Sequence, residues 1–400
     1  MDERPPVTDW ATDFDHTDPR WVADPHPIWD ELRQTCPVAH TDRFNGVYFP
    51  TRYEDIKTIT YDTEHFSSHR VVVREVPINT QSPPITFDPP RHGPARHILM
   101  SWFTPNAIRP LEVRTREMCA ELIDRLSEQD SCDAAEDYAK HIPARVIAYM
   151  LGVPESDGDK FRGWIQESLE EGITDYAKAV HGRDGMNDYF REQVAVRRAQ
   201  RENGDPPGDD LISTLLDATI DGQPLDDEYM VNTLRLLLTA GIDTTWSAIG
   251  ASLYHLATHP KDRERLIAQP ELMPTAVEEL LRAYAPVTMA RVIVEDTEVA
   301  GCPFKAGQMV MLPFPSANRD PEAFPDPDKV ILDRAENRHL AFGIGIHRCL
   351  GSNLARMELR VALEEWLRRI PDFELADPDG VTWSQGTVRG PRRLPVRIGH

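Results

Sequence analysis

The stretch "HLAFGIGIHRCLG", residues 339–351, places a single cysteine, Cys349, behind Phe342, Gly343, Gly345 and His347 and ahead of Gly351. A structural cysteine needs no such surroundings, and a zinc site would bring a second ligand within a few residues. A cysteine that ligates a metal does so as the thiolate, so it needs a pocket that favours the anion. Backbone N–H groups aimed at the sulfur supply one without adding a full charge. Gly343 and Gly345 permit a tight turn and let the backbone approach a flat ligand with no Cβ in the way. Gly351 does the same where the next helix, "SNLARMELRVALEEWLRRI", begins, and that helix's N-terminal dipole favours a negative sulfur. Phe342 is an apolar shield, and His347 and Arg348 are groups that could meet carboxylates. An inert cysteine beside a glycine turn would explain a lone Cys349 but not the whole array.

Outside this stretch, the 400 residues, 40% hydrophobic and 8% aromatic, suffice to bury a large core. A net charge of -22 argues against a nucleic-acid partner, whose phosphates call for a basic face. The opening "MDERPPVTDWATDFDHTDPRW" has no apolar run, so neither a signal peptide nor a membrane anchor is expected, and a cytoplasmic location follows. Cys36, Cys119, Cys132, Cys302 and Cys349 are scattered, with no CxxC pair, which argues against a disulfide framework.

The periodicity predicts a mainly α chain forming one large domain, residues 1–400, with small peripheral β-sheets and an irregular segment over 1–20. Residues 70–90 are Pro-rich and too long for a simple connection, the kind of loop that carries function. The longest helical run covers 226–258. Short strands are expected in "ARVIVEDTEVAG", where Val292, Val294, Glu298 and Ala300 alternate around a turn, and in "PFKAGQMVMLP". No G-x-G-x-x-G or P-loop is present.

Three further groups of residues stand out. In "LLLTAGIDTTWSAIG", Ala240 and Gly241 are small enough to admit a ligand against the helix, while Asp243, Thr244 and Thr245 are costly in an apolar helix unless they have partners or work. A threonine there can disturb the backbone ladder and open a place for water. "EELLR" puts Glu279 and Arg282 on one helix face. "DPPRHGPARHIL" puts His92 and Arg96 on one face, and "MARVIV" offers Arg291 at a strand start.

Phe342-Gly343-x-Gly345-x-His347-x-Cys349-x-Gly351 resembles the haem-binding signature of the cytochrome P450 superfamily, whose thiolate ligand favours O–O cleavage. The resemblance extends from about residue 20 to the C-terminus, taking in "SANRD" and "PEAFPDPD". It implies that Cys349 is the proximal iron ligand and that Thr244, with Asp243 as its acid neighbour, delivers protons to bound dioxygen. It implies that His92, Arg96, Arg291 and His347 hold the propionates of haem b, with Ala240, Gly241, Phe342, Gly343 and Gly351 against the ring. Glu279, Arg282 and Arg334 would lock the core around the cysteine loop. The implied pocket contains Leu237, Ala240, Thr244, Val287, Met289 and Val388, which suits a small or medium hydrophobic substrate; Arg70 and Arg74 leave a carboxylate-bearing one open.

The implied reaction inserts one oxygen atom of O2 into that substrate, by hydroxylation or oxidative dealkylation. No reductase is expected on the chain, so electrons would come from a separate iron–sulfur ferredoxin with its NAD(P)H-dependent reductase. It would dock a monomeric protein on a basic face near Cys349 built from Arg91, Arg96, Arg109, Arg348, Arg356 and Arg360. A peroxide-driven enzyme, or a non-catalytic haem-binding or gas-sensing protein, would not need the Asp243–Thr244 pair.

Overall fold

The structure is a computed structural model that describes residues 4–78, 80–126 and 128–399. Its principal helices are His92–Met100, Leu111–Asp124, His141–Leu151, Gly158–Leu169, Tyr176–Glu202, Asp227–Thr258, Met273–Ala283 and Ser352–Arg369. Asp227–Thr258, hereafter the central helix, starts where the Asp226 side chain accepts from the Tyr229 N–H, with Asp227 and Glu228 favourably placed in its first turn. Its middle is buried on nearly every side, as an apolar helix of this length must be. It packs against His141–Leu151, Tyr176–Glu202 and Ser352–Arg369 (the C-terminal helix) within one large apolar core.

Tyr176–Glu202 begins well before "MNDYFREQVAVRRAQRE", where the apolar period first becomes clear. Gly182 and Gly185 hide its start, since glycine weakens a helical pattern. They are there for contact: a Cβ on Gly182 would lie 2.4 Å from the Trp164 carbonyl oxygen.

The largest sheet runs in the order Val38–Thr41, Val47–Pro50, Met309–Pro313, Thr288–Ile293, Phe66–Ser67. Only the Val47–Pro50 and Met309–Pro313 pair is parallel. It joins the N-terminal strands to those after residue 287, a pairing that local pattern does not reveal. The alternation expected from Val292 to Ala300 divides between two sheets. Val292 pairs with Met309, whereas the turn at Ala300 and Gly301, with φ of 54° and 78°, joins Thr297–Val299 to Cys302–Phe304. The segment before residue 19 has no helix or strand among its described residues, yet it is packed: Phe14, Asp15 and His16 are buried. Among the described residues, none between Ser67 and His92 belongs to a helix or strand.

Candidate active site

Two cavities meet in the middle of the molecule. The inner one lies between the central helix and the Cys349 loop. The outer one lies under residues 69–86, and Ile85, Leu236, Ala240, Thr244, Val287 and Met289 line both.

The cysteine loop takes its shape from two left-handed glycines, Gly343 at φ 60° and Gly345 at φ 70°. Gly343 N–H donates to Leu340 O at 2.8 Å, and Cys349 N–H donates to Phe342 O at 2.8 Å, closing the loop. Gly351 is the N-cap of the C-terminal helix. Cys349 is accessible from inside the protein: its side chain opens onto the inner cavity. Burial pushes its thiol up, and the Gly351 N–H, Arg96, Arg348 and Arg356 act in the opposite direction, favouring the thiolate. The loop is anchored from behind. Arg356 stacks 4.4 Å from the Phe342 ring centre and grips Glu278 with bonds of 2.6 and 2.8 Å, while His339 reaches the same carboxylate at 3.1 Å. Burial alone would raise Glu278, but these bonds hold it at about 2.

Across the cavity, the Thr244 hydroxyl donates to Ala240 O at 2.8 Å, and the helix runs through this point as α-helix. The local opening expected from sequence is therefore not seen; the hydroxyl bonds to the carbonyl of the preceding turn. Asp243 is among neither cavity's lining residues. Its carboxylate is buried against Arg392, 2.6 Å away, and Arg392 also binds Glu170 at 2.6 Å and Ser247 Oγ at 3.1 Å. Burial raises both acids, Glu170 to about 7, against the pull of Arg392. Asp243 Oδ2 has no hydrogen-bond partner. Gly241 lines the inner cavity, and its missing Cβ also makes room for Ile147, which would lie 3.3 Å away.

Arg96, Arg291 and His347 line one side of this cavity, and His92 lies against His347 without joining the lining. The His92 and His347 ring centres are 4.4 Å apart. Arg96 donates only to Arg348 O, at 2.7 Å, and Arg291 only to Ala290 O, at 2.7 Å. His347 Nε2 lies 2.9 Å from Ser68 Oγ, and buried His92 Nε2 has no partner. Burial pulls His347 down to about 3, reinforced by Arg291, His92 and Arg96. None of the four forms an ion pair with a carboxylate of the described residues, although Asp88 is close enough to act on His92 and Arg291.

The cytochrome P450 family model matches residues 173–271 and 261–382. Over 380 residues the chain is 34% identical to the mycinamicin IV hydroxylase/epoxidase of Micromonospora griseorubida, covering 92% of this chain and 94% of that one. It is 36% identical to the nocardicin C N-oxygenase of Nocardia uniformis subsp. tsuyamanensis, covering 93% and 95%. A Bacillus megaterium cytochrome P450 solved in complex with testosterone superimposes with a TM-score of 0.86 at 32% identity, over 94% of this chain and 98% of the other. The chain belongs to the cytochrome P450 family.

It is thus an oxidoreductase of the P450 monooxygenase class, which uses haem and O2 and acts on small organic molecules with electrons from redox partners. No helix among the described residues is long and apolar enough to cross a membrane. The residues present fit haem. A thiol faces a slot with apolar walls, and the convergent cations that lack ion pairs lie where an anionic group would satisfy them. The P450 core around this slot is tied by Glu279, fully buried, which accepts from Arg282 at 2.8 Å twice, Arg334 at 3.0 Å, the Ile331 N–H at 2.9 Å and Asn337 at 3.1 Å. Removing one partner of such a buried pair costs about 3–5 kcal/mol.

Every residue expected in the substrate pocket lies on these cavities: Leu237 on the inner wall, Val388 on the outer, and Ala240, Thr244, Val287 and Met289 on both. The basic face is weaker than its arginines suggest. Arg356 is paired with Glu278, and Arg360 with Glu112 at 2.6 Å and Glu364 at 3.3 Å. Arg96 is turned inward, which leaves Arg91, Arg109 and Arg348 without an acidic partner among the described residues. Sequence reading missed Glu358, which lines the inner cavity; burial pushes its carboxyl up to about 8, with a bond from Thr245 opposing. The signal was there: Glu358 sits on the C-terminal helix among Leu354, Met357, Val361 and Ala362, where an acid has no reason to be unless it is used or partnered.

Proposed function

We propose that this P450 inserts one oxygen atom from O2 into a small or medium hydrophobic organic substrate, by hydroxylation or oxidative dealkylation, and that the chain acts as one haem domain. The carrying observation is that Cys349 and Thr244 face one cavity from opposite walls, beside Arg96, Arg291 and His347, which form no ion pair among the described residues. In this reading Cys349 ligates the iron of haem b, and His92, Arg96, Arg291 and His347 hold its propionates. Ala240, Gly241, Phe342, Gly343 and Gly351 bound the ring. Haem, when bound, supplies the activation of dioxygen, sending one oxygen atom into the substrate and the other to water with two electrons and two protons.

The chain supplies the position and the protons. Leu237, Val287, Met289 and Val388 hold an apolar substrate beside Thr244 and exclude water. The Thr244 hydroxyl, bonded to Ala240 O, presents its oxygen lone pairs to the cavity and passes a proton on when it rotates. Asp243 feeds that hydroxyl only when its bond to Arg392 opens, so Arg392 and Glu170 act as a brake on proton supply.

Electrons arrive from a separate iron–sulfur ferredoxin and its reductase at the face carrying Arg91, Arg109 and Arg348. Thr244→Ala tests the reading. The variant keeps substrate binding and continues to consume NAD(P)H, while product falls by about tenfold or more, in the range expected of a lost proton donor. Full product yield would remove Thr244 from the chemistry.

A further inference from the structure

The outer cavity differs from the inner one in charge. Among the described residues, its walls contain four arginines, Arg70, Arg74, Arg183 and Arg235, and no aspartate or glutamate. The chain carries 66 acids against 44 lysines and arginines, so a wall assembled without regard to charge would hold more carboxylates than cations.

The four arginines are not equivalent. Arg183 is paired with Asp184 at 2.8 Å. Arg235 donates to Asn187 and Asn232 and to Gln81 O and Ser82 Oγ, all neutral acceptors, so it brackets the loop to the central helix, with Glu228 and Asp184 near enough to favour its charge. Among the described residues, Arg74 makes one bond, to Gly172 O at 2.8 Å, and no ion pair; the adjacent Glu75 is taken by Arg4 at 2.7 Å. Burial pulls the Arg74 guanidinium down to about 10, which leaves it charged at neutral pH. Arg70 is half-buried and has no partner among the described residues. A half-buried cation with unspent donors is stabilised when an anion joins it. Arg235 precedes Thr244 by nine residues, which puts it about 13 Å away along the helix axis.

We propose that the outer cavity binds the carboxylate of an otherwise hydrophobic substrate, with Arg74 as the anchor and Arg70 beside it, so that the apolar end reaches Thr244. The arginine fork suits a carboxylate. This rests on the monooxygenase reading above and specifies its substrate class.

The test uses the haem-loaded enzyme and acid–alcohol pairs that differ only in charge: dodecanoate with dodecan-1-ol, and 4-hexylbenzoate with 4-hexylbenzyl alcohol. Dissociation constants come from equilibrium dialysis, with the spin-state change of the Soret band as a second readout. The acid of at least one pair binds tenfold or more tighter than its alcohol. Arg74→Gln cuts that preference at least fivefold and Arg70→Gln cuts it less, with alcohol binding within twofold of wild type; Arg74→Lys retains part of it. Equal binding of acids and alcohols, no binding of either acid, or a preference unchanged in the Arg70→Gln/Arg74→Gln double variant would each overturn the proposal. The reduced carbon monoxide spectrum of the same samples keeps the two claims apart. A thiolate-type spectrum without acid preference removes only the anionic substrate, whereas loss of that spectrum in wild type removes the haem-thiolate reading itself.

Discussion

Glu358 is an acid with no cationic partner among the described residues, in the wall of the cavity that Cys349 enters. Its carboxyl is raised from an ordinary 4.5 to about 8, so over that window the folded protein keeps a proton that the unfolded chain has released. Stability from this group is complete below pH 4.5 and falls as pH rises to 8, by up to about 1.4 kcal/mol per unit. Glu358→Gln removes the slope. Denaturant titrations of holoprotein at pH 5, 6.5 and 8 should show wild-type stability declining relative to the variant; a constant difference would show that Glu358 is already ionised in the fold. At this scale legibility followed chain distance. Cys349 and its glycines form a local pattern that sequence shows completely. The true partner of Asp243 is Arg392, 149 residues away, and nothing in "AGIDTTW" announces it.

Helices were legible where their faces are continuous and obscure where they cross closely. The central helix was visible from its Asp226 cap to Thr258 because apolar residues recur along its whole length. The start of Tyr176–Glu202 was hidden by the glycines that let it touch Trp164. Gly182→Ala would place a methyl 2.4 Å from a carbonyl oxygen and 3.0 Å from the Ser168 nitrogen, both backbone atoms that cannot step aside. It should cost about 1–3 kcal/mol as overpacking. Gly163→Ala, on the neighbouring helix with no heavy atom within 4 Å of the added Cβ, should be neutral or stabilising by about 0.5–1 kcal/mol. Equal denaturation midpoints for the two variants would refute the close crossing. The five-stranded sheet was illegible for a different reason: its parallel pair joins Val47 to Met309, and register over such a distance is set by the finished core.

The whole molecule carries a charge of -22, so an acidic electron carrier must find a local exception. Sequence offered six arginines, and the structure neutralises Arg356 and Arg360 through Glu278, Glu112 and Glu364. Reversing those two would break ion pairs of the fold rather than a docking surface. Arg109, whose side-chain bond is a weak one to Asn106 at 3.4 Å, is the cleaner probe. Arg109→Glu should slow reduction by ferredoxin several-fold at low ionic strength, with the difference closing as salt screens the approach. Equal rates at both salt concentrations would place the carrier elsewhere.

The monooxygenase reading requires the sulfur of Cys349 to meet iron in the inner cavity, and one spectrum tests that directly. Dithionite-reduced holoprotein treated with carbon monoxide should show a Soret band strongly red-shifted from that of a histidine-ligated haem, and Cys349→Ala should lose it. A wild-type band like that of myoglobin would mean that Cys349 is not the ligand, and the account of the site would not stand.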